Sequence, residues 1–220
     1  MGSEMCIRDS SFTVRQAVRT RAFWFLAAFT GAVFMVQAGV SLHQVAHYIN
    51  QGLPGPSAAL TASAFAIFQM LGAMFWAMLG RRGPVRFLLS AVALVLAVAA
   101  FGASFSSSLR SALLAAATVG VGVGGLRILV RLAWADYYGR EHLGAIRGYT
   151  MSAQIGGQAA GPVLAGFMFD ATGSYQLPLM MFTGSAALAG LLALFAIPPR
   201  LQVPEAVSYT HLTLPTILLV

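Results

Sequence analysis

Polar side chains placed inside long apolar stretches are the first candidates for chemistry in this sequence. They are Gln37, His43, Gln69 and Arg127. Amide and imidazole groups donate and accept hydrogen bonds, and a guanidinium group attracts anions. These residue types therefore predict a binding site for a small polar or anionic solute.

Two interpretations stay open for each uncharged candidate. Gln37 and Gln69 either bind a solute or join neighbouring helices by hydrogen bonds. His43 lies four residues before His47 on the same helix face, which suits a polar cavity lining or a histidine bonded to nearby protein groups. A metal site would need further ligands, and none is evident in the sequence, so no metal is expected.

The sequence shows no set of residues suited to catalysis. No pair of carboxylates and no serine, histidine and aspartate set falls at matching positions of the apolar runs. Gly120, Gly122 and Gly125 match the G-x-G-x-x-G pattern, but no strand precedes them, so nucleotide binding is rejected. We therefore expect no enzyme activity and no cofactor.

The composition indicates an integral membrane protein. The 220 residues are 58% hydrophobic and only 9% charged, with a mean hydropathy of +0.78. A soluble domain carries roughly a quarter charged residues, so this chain suits a lipid-facing surface instead. The formal net charge is +7, and the 13 basic residues are all arginines lying between apolar runs. This pattern favours lipid headgroups over nucleic acid as the partner.

Six apolar runs are long enough to cross the ~30 Å hydrocarbon core of a bilayer as helices. Breakers or charged residues separate the runs, and the connections are short, so successive helices are expected to be antiparallel neighbours. The sequence thus predicts an all-α polytopic membrane helix bundle with spans at 22–42, 58–79, 87–105, 111–132, 148–169 and 175–197.

The arginines also predict the orientation. Nine loop and terminal arginines lie on one side of such a bundle, and only Arg110 lies on the other. Because arginine-rich loops face the cytoplasm, both ends of the bundle are expected there, in the inner membrane of the cell. Arg81, Arg82, Asp136 and Arg140 are then expected at the cytoplasmic face, where Asp136 is able to pair with an arginine.

Two arginines lie within the fourth predicted span. Arg131 is near its cytoplasmic end and is interpreted as an anchor that reaches the headgroups. Arg127 lies one helical turn deeper. It either reaches the headgroups as well, or attracts anions or pairs with a carboxylate elsewhere in the protein.

Paired glycines predict close helix packing. Gly120 with Gly124, and Gly157 with Gly161, have the small-x-x-x-small spacing that lets helix backbones approach in lipid. The glycine faces of the fourth and fifth spans are therefore expected to be buried. Pro162 within the fifth span predicts a kink or a free carbonyl group, which suits a moving gate.

Both ends of the chain are interpreted as foreign to the protein. The strings at 5–9 and 207–211 can be encoded by reverse-complementary DNA, an inverted repeat typical of transposon-based library adapters. Residues 1–10 and 207–220 are thus expected to be adapter sequence around a genuine segment at 11–206. The alternative is a genuine tail with a coincidental match.

Three stretches, at 42–59, 135–148 and 161–175, resemble the C-terminal half of a major facilitator superfamily transporter. The last two are similar to the monocarboxylate and oxalate/formate-like branch. The resemblance implies twelve helices in two six-helix halves, with the substrate bound between them and this chain as the second half. Arg81 and Arg82 lie where the family has a charged inner loop, but Gly80 stands in place of its common acidic residue.

The leading hypothesis is a fragment of a secondary transporter for a small solute, such as an organic anion like a monocarboxylate. Its expected partners are the lipid bilayer, the missing N-terminal half and the small-molecule substrate. The alternatives are a membrane scaffold that transports nothing, and an intramembrane enzyme, for which convergent acid, base or metal residues are not evident.

Overall fold

The computed structural model describes residues 11–199, which form helices and no strand. The predicted all-α class is thus confirmed for this part of the chain. The segments interpreted as adapter sequence, together with Arg200, lie outside the described residues. A short helix precedes six long ones: α1 (Val14–Val18), α2 (Arg21–Asn50), α3 (Gly55–Leu79), α4 (Val85–Ser104), α5 (Leu109–Tyr138), α6 (Leu143–Thr172) and α7 (Gln176–Phe195).

Local sequence explains where the helices begin and end. Pro54 and Pro84 directly precede α3 and α4, and Ser108 caps α5 by accepting a hydrogen bond from the Ser111 backbone. Gly139 (φ +76°) and Gly173 (φ +68°) end α5 and α6 in a conformation that disfavours residues with a side chain.

The fourth and fifth predicted spans are shorter than the helices that contain them. Helix α5 continues to Tyr138, and α6 already begins at Leu143. Asp136 therefore lies in the last turn of α5, and Arg147 lies within α6 rather than in a loop. This shift matters because it places the Arg147 side chain on a helix face.

Five helices are long and apolar enough to cross a membrane, namely α2, α3, α4, α5 and α7. Helix α6 has 30 residues, about 45 Å at 1.5 Å per residue, but its central part carries Gln154, Gln158 and several glycines. The membrane character of the bundle is therefore clear, whereas the count of six spans stays a prediction.

The long helices pack in pairs. Helix α3 packs mainly on α5, α2 on α6, and α4 on α7, while α4–α5 and α2–α7 contacts join the pairs. If α2, α3 and α4 are exchanged with α5, α6 and α7 in that order, the same pairs of helices are in contact. The main helix contacts made by α2–α4 are thus matched by those made by α5–α7.

Glycines line the two closest helix pairs. A Cβ atom at Gly124 would collide with the carbonyl oxygen of Gln69 in α3, and one at Gly161 would collide with the carbonyl oxygen of Met35 in α2. Gly120 meets α3 and Gly157 meets α2 in the same way. The two glycine pairs therefore pack against different helices, and we call these contacts the α3–α5 seam and the α2–α6 seam.

The alternation of the helices gathers most arginine-bearing segments at one end, which we call the basic end (11–21, 79–86, 138–147 and 196–199). There the Tyr138 hydroxyl lies 2.8 Å from the Thr20 hydroxyl, and the Tyr137 hydroxyl donates to the Ala196 carbonyl oxygen over 2.6 Å. The opposite end (50–55, 104–110 and 172–176) carries Arg110 as its arginine within the described chain.

Candidate functional site

Three charged side chains line a cavity of about 160 Å³ between α2, α5 and α6. Its charged residues are Arg127, Arg131 and Arg147, and we call it the arginine cavity. Arg127 and Arg131 lie one turn apart on α5, and Arg147 enters from α6. Within residues 11–199, no carboxylate lines this cavity, so its potential is strongly positive and favours anions.

Neutral polar groups complete the lining. The Thr30 hydroxyl donates to the Leu26 carbonyl oxygen over 2.7 Å, and the Thr150 hydroxyl donates to the Arg147 carbonyl oxygen over 3.1 Å. Each hydroxyl oxygen therefore keeps lone pairs that can accept a hydrogen bond from a solute. The amide of Gln154 also lines the cavity, so it offers donors and acceptors beside the charged groups.

Gln37 is joined to this cavity through a second glutamine. The Gln158 side-chain nitrogen donates to the Gln37 side-chain oxygen over 3.5 Å, a long hydrogen bond that crosses the α2–α6 seam. Gln158 lines the cavity, whereas Gln37 is buried behind it, near the middle of α2. Gln37 thus orients a residue of the lining rather than forming the lining itself.

Gln69 lies on the other side of the same arginines. A second, more open concavity of about 430 Å³, the α3 groove, is lined by Gln69, Ala73, Arg127 and Arg131 among others. Arg127 and Arg131 therefore line both concavities. The structure brings Gln69 and Arg127 together beside α5, whereas Gln37 reaches the arginine cavity only through Gln158.

His43 lies elsewhere. Its Nε2 atom is 3.2 Å from the carbonyl oxygen of Pro162, and its ring centroid is 5.3 Å from that of Tyr175. Because a carbonyl oxygen only accepts, the His43 nitrogen donates this hydrogen bond. His43 lines a separate cavity of about 10 Å³ toward the opposite end, which has room for one water molecule and not for an organic solute.

The opposite end is closed by aromatic rings and histidine hydrogen bonds. Tyr175 stacks on Phe169 with ring centroids 4.3 Å apart, and His47 Nε2 donates to the Ala103 carbonyl oxygen over 2.9 Å. These contacts tie α2 to α4 and α6 at this end.

The residues predicted at the cytoplasmic face all lie toward the basic end. Arg81, Arg82 and Arg140 are exposed there, and so is Asp136 in the last turn of α5. Pro162 lies inside α6 next to Gly161, where its carbonyl oxygen accepts the hydrogen bond from His43. None of these residues lines the arginine cavity.

Sequence reasoning missed the contribution of α6 to the cavity. Arg147, Thr150, Gln154 and Gln158 are spaced three, four and four residues apart, which places them along one helix face. This polar stripe was readable in the sequence. The fifth predicted span begins at residue 148 and leaves out Arg147, so the stripe does not emerge from the predicted spans.

Comparison with curated proteins gives no match. The sequence model of the Major Facilitator Superfamily matches residues 22–211, which cover the six long helices apart from Arg21 at the start of α2. Members of this superfamily are membrane transporters, in agreement with the apolar helices and the polar cavity between them. The chain belongs to the Major Facilitator Superfamily.

Proposed function

We propose that this chain is part of a secondary carrier that moves a small organic anion, and that the arginine cavity holds the anion. The observation that supports this proposal is the set of three arginines, from two helices, without a carboxylate among the described lining residues. Guanidinium groups bind carboxylates through paired, charge-assisted hydrogen bonds. A cavity lined in this way selects anions over cations and neutral solutes.

The position of Arg127 favours this role over anchoring at the headgroups. Arg127 lies about three turns, or roughly 16 Å, from the end of α5 at the basic end. A charge at such depth is costly unless it faces a water-filled cavity or a counter-charge. Arg127 lines two concavities, so its charge is hydrated and accessible to a solute.

A second six-helix half is the partner that this arrangement needs. The α3 groove and the arginine cavity leave Gln69, Arg127 and Arg131 uncovered on one face of the bundle. Polar groups facing hydrocarbon cost free energy, and a second half across a wet pathway removes that cost. We infer that this chain forms the C-terminal half of a twelve-helix carrier and that the N-terminal half covers this face.

The same proposal assigns the sides of the membrane. The arginine-rich basic end faces the cytoplasm by the positive-inside rule, which puts both ends of the bundle in the cytoplasm and the protein in the inner membrane. The arginine cavity then lies nearer the cytoplasmic side, and the contacts around His43 and Tyr175 lie toward the far side. This is the arrangement of a carrier with its site accessible from within.

An uptake assay tests the proposal. The chain, co-expressed with an N-terminal half and reconstituted in liposomes, is supplied with labelled monocarboxylates, dicarboxylates, sugars and organic cations. We expect saturable uptake of carboxylates that Arg127→Gln strongly reduces. Arg110→Gln, at the opposite end, is the matched control and should leave uptake unchanged. Uptake of sugars or cations in preference to carboxylates would contradict the proposal.

A further inference from the structure

The three arginines of the cavity lie at different depths. Arg147 is in the second turn of α6, close to the basic end, and Arg131 lies about two turns from the end of α5. Arg127 is one turn deeper, which separates its Cβ atom from that of Arg131 by roughly 6 Å. The cavity thus has a deep positive position at Arg127 and a second positive position, formed by two helices, nearer the basic end.

A ligand with one negative charge leaves most of this charge uncompensated. Excluding water around unpaired guanidinium groups is energetically costly. A dianion meets both positive positions together, so it offsets more of this cost. The lining also includes Phe34, Val130 and Trp134, which offer an apolar wall for a short carbon chain.

The two positive positions also join different parts of the bundle. Arg127 belongs to α5, which packs on α3, whereas Arg147 belongs to α6, which packs on α2. Helices α5 and α6 make little direct contact with each other. A ligand held at both ends therefore links the α3–α5 seam to the α2–α6 seam, a link that the helices themselves scarcely provide.

We propose that the arginine cavity selects a dicarboxylate, with one carboxylate at Arg127 and the other between Arg131 and Arg147. This inference rests on the proposed function and narrows it from organic anions in general to those with two carboxylates on a short carbon chain. Gln154 and the hydroxyls of Thr30 and Thr150 then accept or donate hydrogen bonds to the chain and its substituents.

Calorimetric titration of the purified 220-residue chain in lipid nanodiscs tests this. The ligands are succinate, its half-amide succinamate and inorganic sulfate, at constant ionic strength because screening weakens charge pairs. We expect succinate to bind at least tenfold more tightly than succinamate and sulfate. Arg131→Gln and Arg147→Gln should each reduce the preference for succinate over succinamate, whereas Arg127→Gln should weaken both. Arg110→Gln is the control, and circular dichroism verifies the fold of each variant.

The outcomes separate this inference from the proposed function. Equal affinities for succinate and succinamate would overturn the dicarboxylate and leave an anion site intact. Sulfate binding as tight as that of succinate would overturn the role of the carbon chain. If Arg147→Gln kept the full preference for succinate over succinamate, the proposed link between α5 and α6 through the ligand would be wrong. Binding of no carboxylate by the folded chain would contradict both proposals.

Discussion

The two ends of the bundle differ in how the same helices meet. Toward the basic end, α2, α5 and α6 enclose a polar cavity of about 160 Å³, whereas toward the opposite end the space left is about 10 Å³. The α2–α6 seam runs between them, with Gln37 and Gln158 near its middle.

This difference comes from which helices are tied together at each end. At the opposite end, His43 and His47 of α2 bind carbonyl groups of α6 and α4. At the basic end, Phe23 of α2 packs against Trp134 and Tyr138 of α5, whereas within residues 11–199 α6 makes no such aromatic contact with α5. At the opposite end, hydrogen bonds thus connect α2 to α4 and α6. At the basic end, α5 and α6 stay apart on either side of the arginine cavity.

The largest expected effect concerns the face of the bundle on which Gln69, Arg127 and Arg131 are uncovered. The chain reconstituted by itself should give no saturable carboxylate uptake, because the arginine cavity then lacks the surface that completes the pathway. Co-expression with an N-terminal half should restore uptake. The measurement is tracer uptake into liposomes at matched protein content. Saturable transport by this chain alone would show that the open face needs no second half, or that a second copy supplies it.

Disrupting the α2–α6 seam should have the next largest effect, a loss of stability of the bundle. Gly161→Leu forces a side chain against the Met35 carbonyl oxygen and should destabilise the bundle by about 3 kcal/mol or more, since a backbone contact cannot yield as a side chain does. Thermal unfolding in detergent measures the loss. Gly156→Leu on the same helix, where a Cβ atom meets no neighbour within 4 Å, is the control. Equal stability of both variants would contradict the seam.

Removing the positive charge of Arg127 should have an intermediate effect, which is confined to carboxylate binding at the basic end. Arg127→Gln should weaken carboxylate binding about 10- to 100-fold, because hydrogen bonds to charged groups contribute roughly 1.5–3 kcal/mol. Unfolding should change little, since this side chain is exposed to the cavity. Titration of the variant beside Arg110→Gln provides the comparison. If carboxylate binding were unchanged in both Arg127→Gln and Arg110→Gln, Arg127 would instead be interpreted as an anchor at the lipid headgroups.

The smallest expected effect lies at the closed end. His43→Ala removes the hydrogen bond to the Pro162 carbonyl oxygen and should cost about 1 kcal/mol of stability. Amide hydrogen exchange should rise in the Tyr175 turn without any change in carboxylate affinity. His142→Ala, an exposed histidine just before α6, is the control. A large loss of carboxylate binding in His43→Ala would place His43 in the solute site after all.

Much of the fold could be read from local sequence. The breaks near Pro54, Pro84, Ser108, Gly139 and Gly173 depend on backbone geometry and caps that act within a few residues, so the predicted runs and the helices largely agree. The glycine pairs were recognisable as packing positions for the same reason. Helix α6 begins at Leu143, before the predicted span at 148–169, because a charged residue such as Arg147 interrupts an apolar run without ending a helix.

The candidate site was readable only in part. Arg127 and Gln69 stand out as polar residues in apolar runs, and both line a concavity. His43 is likewise a polar residue in an apolar run, yet it lies toward the opposite end and donates a hydrogen bond to the Pro162 carbonyl oxygen. A single sequence shows that a polar group is present, but its partner belongs to another helix and is set by packing.

What the sequence by itself determined was the class of the protein, its helices, the arginine-rich side of the bundle and its membership of a transporter superfamily. These follow from hydrophobicity, breakers and charge along the chain. Only the tertiary structure decided that α5 packs on α3 and α6 on α2, and that Arg147 joins Arg127 and Arg131 in one cavity. The reason is that the order of helices in space depends on which surfaces fit closely, and glycines on several helices offer similar surfaces.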